Sequence, residues 1–121
     1  MHPRIKDASA RLFSDGHYAD AVFNASKALV NFVKDKSIRH DLDGASLIGT
    51  VFSKNAPILA FNDLTDQSDK DEQEGMMHLF MGAVLAIRNP RGHRVRSDSP
   101  EHALASLSFL SMLAYRLEEV K

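Results

Sequence analysis

The chain has 121 residues, of which 44% are apolar and 26% charged, with a net charge of -1 at pH 7 and no cysteine. That length suits one domain with a sizeable core, and the balance excludes a disordered chain. The lack of cysteine excludes disulfides and thiolate zinc sites, and the near-zero charge excludes coating of nucleic acid by bulk electrostatics, which needs many cationic contacts.

His2-Pro3 opens a run in which Ile5, Ala8, Leu12 and Phe13 fall at helical spacing, and Asp15-Gly16 supplies a turn, so a first helix ends near Ser14. From Tyr18 the residues Ala21, Val22, Ala25, Ala28, Leu29, Phe32 and Val33 recur at three and four, which predicts a second helix to about Lys36. Ala45 to Phe52 reads as a short helix behind Asp43, and Ala56 to Phe61 as an apolar connection laid over the core. A third long helix is expected from the acidic stretch after Asp66 to Arg88, where Pro90 ends it. Ser99 as N-cap, Pro100 and Glu101 start a final helix carrying Leu104, Leu107, Leu110, Leu113 and Leu117. No segment combines period-two alternation with hairpin turns. The expected fold is therefore all-α, an antiparallel bundle of about four long helices plus a short connecting helix, in one domain over residues 1–121.

No basic segment precedes an apolar run at the amino terminus, and no apolar stretch reaches spanning length, so a cytoplasmic protein without membrane contact is expected. The abrupt Met1-His2-Pro3 start fits a domain that follows a longer, regulatory segment.

Between Met76 and Ile87 every residue except His78 and Gly82 is apolar, more than one face of a bundle helix requires. A homodimer interface through Met77, Met81, Gly82 and Val84 accounts for the surplus; the alternative is a central helix of a monomer. Gly82 fits close backbone approach, with Ala86 one turn later. His78 reads as a packed or interface histidine.

Met77, Met81 and Val84 form an apolar stripe that Arg88 continues with a charge. Pro90 disfavours helical geometry at Asn89, which would free the chain to turn back and bring His93 toward Arg88. From Arg88 to Arg96 there are four arginines and a histidine without an acidic residue. Arginine presents a planar fork to phosphate, and histidine exchanges protons near neutrality. A solvated basic loop is the alternative. The other histidines show no pair spaced three or four apart on a helix, so no metal site or cofactor is expected.

The pattern Arg88-Asn89-x-x-x-His93 resembles the motif of HEPN ribonucleases. Three blocks resemble the Ymh-type branch of that superfamily: Gly16-His17-Tyr18-Ala19-Asp20-Ala21-Val22, Asp71-Glu72-Gln73-Glu74-Gly75, and Leu79 through Arg94. The resemblance spans essentially the whole chain. It implies a HEPN-like helical bundle that dimerises with two motif copies facing a cleft, and metal-independent cleavage of RNA, often as a toxin or antiviral defence effector with an antitoxin or regulatory domain. It makes Arg88 and His93 the catalytic pair and Asn89 their polar neighbour. The turn at His17 and Tyr18 looks structural in this family. Gly92 stands where relatives commonly have alanine, an exchange expected to matter little. Val95 stands where the branch paired with nucleotidyltransferase antitoxins has tyrosine, so silencing through that tyrosine is not implied.

The implied reaction is attack of a ribose 2'-hydroxyl on its phosphorus, with one His93 as base or acid, its twofold mate in the complementary role, and Arg88 stabilising the phosphorane. Arg91, Arg94 and Arg96 are expected to hold the RNA backbone. The competing readings are a non-catalytic nucleotide- or protein-binding dimerisation module of the same fold, and a plain oligomerisation domain.

Overall fold

His2 caps the first helix before any other element is needed: its ring Nδ1 accepts from the Arg4 N–H at 3.1 Å, and Pro3 supplies the pre-set φ of a first turn. The structure, a computed structural model describing residues 1–121, is all-helical and contains no strand. The expected all-α class is therefore what the chain adopts.

Helix α1 spans Pro3–Ser14 and turns through Gly16, whose φ of 82° is a conformation glycine adopts without strain, into α2, Tyr18–Ser37. α2 is the central element. It packs against α1, against α6 (Pro100–Glu118) and against the segment that precedes the Arg88 motif. Its face of Val22, Ala25, Leu29 and Val33 is buried at the spacing the periodicity demanded. The imidazole of His2 lies buried between Phe32 and Tyr115, with Nε2 3.1 Å from the Glu118 carboxylate, so the start of α1 is fastened to the end of α6.

Helix α3, Gly44–Val51, starts behind Asp43, whose carboxylate accepts from the Gly44 N–H at 2.8 Å. The connection that follows has few backbone partners of its own, and Gln73 provides them. This side chain is 0% exposed; its carbonyl accepts from Phe61 N–H at 2.9 Å, and its amide donates to the Phe52 and Leu59 carbonyls at 3.2 and 3.0 Å. One glutamine on α4 (Gln67–Gly82) thus satisfies three buried backbone groups and presses Phe52 and Phe61 into a stack with Phe80.

The expected stop at Pro90 is not observed. After α4 the helix widens into a π-helical segment, Ala83–Arg88, and continues as α5, Asn89–His93. A proline in an α-helix lacks one N–H and crowds the carbonyl four residues back. The π register lets Asn89 N–H reach Val84 O, five residues back, and so admits Pro90 without ending the helix. Ser99 caps α6 as its sequence indicates, accepting from His102 N–H at 3.1 Å. No helix is long and apolar enough to cross a membrane.

Because Gln73 serves three backbone groups, Gln73→Leu strands all three in the interior and should lower unfolding stability by about 2–4 kcal/mol, at 1–3 kcal/mol for each unmet buried group with partial relaxation. Urea denaturation checks this; a midpoint equal to that of the unchanged protein contradicts the role.

Candidate functional site

Arg88 ends the π segment and is half-buried. Its Nη1 donates to Asn89 Oδ1 at 3.2 Å, its Nη2 lies 3.9 Å from the Asp43 carboxylate, and its Nε is buried without a partner. Burial pushes the Asp43 carboxyl up, but the Gly44 N–H, Lys34 and Arg88 outweigh it and hold the group below its ordinary value. The Asp43 contribution to stability is therefore complete above the ordinary carboxylate range and is lost as pH falls through the lowered value.

Arg91 does not reach toward a ligand, contrary to the expectation that it holds RNA. Its side chain is 6% exposed and that of Asp98 5%. Nε and Nη2 donate to the two Asp98 oxygens at 2.9 Å each, while Nη1 donates to the Ile87 carbonyl at 2.9 Å. This bidentate pair fixes the loop between α5 and α6 to the helix, and Asp98 neutralises the charge that Arg91 would otherwise present to phosphate. The acid that neutralises Arg91 stands just beyond the basic run in sequence.

His93 closes α5 and is exposed, with no hydrogen bond or ion pair to its ring. Since α5 stays helical, His93 does not fold back on Arg88: five residues at 3.6 per turn set the two roughly 140° apart about the axis. Arg88 turns toward Asp43 before α3, whereas His93 lines an open cleft of about 520 Å³ with Ala19, Asp20, Arg94 and Arg96. That size falls within the roughly 300–1,000 Å³ usual for ligand pockets. Arg94 is exposed and unpaired; Arg96 has its Nε 4.0 Å from Asp98, whose oxygens already serve Arg91. Of the three arginines expected to meet RNA, two are thus open to solvent and one is a strut.

Gly92 also differs from expectation. A Cβ there would sit 3.1 Å from the Phe23 ring, so glycine allows α5 to approach α2 closely and alanine would force Phe23 to shift.

The apolar surplus before the motif divides between core and surface. Val84 is 2% exposed and belongs to the protomer's own core, which removes it from the expected interface; Met77 and Met81 pack partly against the same core. The residues left facing solvent are Leu79, Leu85 and Ala86, with Gly82 partly exposed beside them. A Cβ on Gly82 would meet nothing within 4 Å, so no backbone of the same protomer explains it. His78 is exposed and 3.8 Å from Glu74 instead of packed.

Removing the Asp98 carboxylate leaves the Arg91 guanidinium buried and uncompensated. Asp98→Ala should therefore cost about 3 kcal/mol or more, the scale for breaking one side of a buried pair. Hydrogen exchange should accelerate through residues 94–99; unchanged protection there contradicts the strut.

No curated protein and no solved structure shows significant similarity to the chain. A family model described as a protein of unknown function, Hypoth_Ymh, matches residues 1–117. With nearly the whole length matched, from the cap of α1 through the buried face of α6, the chain belongs to the Hypoth_Ymh family.

Proposed function

We propose that the chain is a metal-independent endoribonuclease of HEPN type, acting as a homodimer and serving as a toxin or antiviral defence effector held in check by an antitoxin or regulatory domain. The observation that carries this reading is the unengaged His93 imidazole in an open cleft beside Arg94 and Arg96. An imidazole transfers protons at neutral pH, and guanidinium groups hold phosphate oxygens and stabilise charge developing on a phosphorane. No group of that kind is needed there for folding, because Arg91 and Asp98 already hold the loop.

The divergence of Arg88 and His93 within a protomer gives the dimer a chemical role. Arg88 holds Asp43 through Nη2 only at 3.9 Å, so it can exchange that contact for a phosphate brought against it by a second protomer. The solvent-facing strip of Leu79, Leu85 and Ala86, with the partly exposed Gly82, lies on the same continuous helix and supplies a contact surface. Asn89, bonded to Arg88, orients its guanidinium. The same engagement of Arg88 with Asn89 and Asp43 favours a second reading, a non-catalytic module that binds a nucleotide or a partner protein.

RNA incubated with the protein in EDTA should be cut to products ending in 2',3'-cyclic phosphate and 5'-hydroxyl, with DNA intact. His93→Ala and Arg88→Ala should each lower the rate about 100-fold or more, the usual scale for acid–base and oxyanion groups. Binding without cleavage selects the second reading, and cleavage unchanged in both variants refutes the first. Leu85→Glu, at a side chain 52% exposed, should leave the fold intact and shift sedimentation from dimer to monomer. A Leu85→Glu protein that remains dimeric contradicts the interface.

A further inference from the structure

We propose that His17, and not a second copy of His93, is the complementary proton carrier of the site, so that both imidazoles come from one protomer. This inference rests on the ribonuclease reading. Two openings meet on the surface between the start of α2 and the loop after α5. One is lined by His17 and Asp20 with Arg96 and Asp98, the other by Asp20, His93, Arg94 and Arg96. They share Ala19, Asp20 and Arg96, so a single trough runs from His17 to His93.

The backbone of His17 is fixed while its ring is free. Its N–H donates to Leu12 O at 2.8 Å and its carbonyl accepts from Ala21 N–H at 2.9 Å, yet the imidazole makes no hydrogen bond and does not cap α2. Its neighbour Tyr18 has a structural task, edge-on against Phe13 with centroids 5.0 Å apart; His17 has none. Arg96 stands on the shared border of the two openings, and its one acidic neighbour, Asp98, is committed to Arg91. A phosphodiester held on Arg96 therefore meets an imidazole toward either end of the trough. Asp20 lines both openings and supplies an acceptor that can orient an imidazole N–H. Elsewhere in the chain His2 is buried against Glu118, and His40 and His78 lie near Asp35 and Glu74. His102 lines a further opening with Ala86, Ile87 and Ala105, which reaches Arg91 and Arg96 but neither Ala19 nor Asp20 of the trough.

The step balances without an oxidant or further reactant. A neutral imidazole takes the 2'-hydroxyl proton, O2' forms its bond to phosphorus, the bond from phosphorus to O5' breaks, and the second imidazole, protonated, gives its proton to O5'. The products are a 2',3'-cyclic phosphate and a 5'-hydroxyl, and water exchange restores both imidazoles.

The test uses the full chain and a DNA oligonucleotide carrying one ribonucleotide, with its all-DNA counterpart as control. His17→Ala and His17→Gln, each checked for helix content by circular dichroism, should lower kcat about 100-fold or more with KM within about threefold, the usual loss for an acid–base group. His102→Ala should cleave like the unchanged protein. Mixed dimers of His17→Ala and His93→Ala subunits should stay inactive, since neither protomer keeps an intact trough. The inference is overturned if the His17 variants cleave within threefold of the unchanged protein while His93→Ala is inactive, if only KM rises, or if the mixed dimers recover activity. If the unchanged protein cleaves nothing, or His93→Ala cleaves as well as it does, the ribonuclease reading itself is what fails.

Discussion

A proline inside a continuous helix is the constraint on which the site depends. Pro90 removes one N–H and would crowd a carbonyl on an α-helical path, and the π-helical turn over Ala83–Arg88 relieves both by opening the register. Arg91 then donates to the Ile87 carbonyl and uses its remaining fork on Asp98. Three consequences follow from this one arrangement. The helix runs on to His93, Arg88 and His93 point to different sides, and the loop to α6 returns along the start of α2 to form a cleft.

Much of the fold was legible because its signals are local. His2-Pro3 and Ser99-Pro100 mark helix starts through side-chain acceptors and a pre-set φ, and both cap their helices in the structure. The buried face of α2 follows from period alone. Local reasoning places a stop at Pro90 because proline's penalty usually wins, whereas here a register change in the preceding turn absorbs it. Arg91 departs from expectation for a related reason. A basic run without acids suggests a ligand, but the neutralising carboxylate lies at Asp98, and only the folded loop brings it into a bidentate pair. Val84 shares a stripe with Met77 and Met81, but it also falls four residues after Phe80 and eight after Met76, and that is the face the protomer buries.

Gln73 shows what composition conceals. It sits in a polar run, Asp71-Glu72-Gln73-Glu74-Gly75, that reads as a solvated helix face, yet it is the one member of that run carried fully inside. Its signal is its position, on the same face as Met76 and Phe80 at spacings of three and four. The first resembling block forms the turn that lines the cleft, the second carries the pin of the 52–61 connection, and the third provides the exposed strip and the motif. The candidate residues were thus legible as types, and their partners were not. Charge pairing and side-chain direction around the helix depend on contacts made across the fold.

The cleft at the end of α5 is the place proposed to bind a phosphodiester. The chain has six histidines, each an independent reporter in a proton NMR spectrum. Titration with a 2'-O-methyl RNA, which binds but lacks the attacking hydroxyl, should move the imidazole resonances of His93 and His17 and leave His2, buried against Glu118, in place. A His93 resonance that stays fixed while RNA saturates the protein places the ligand elsewhere and contradicts the account.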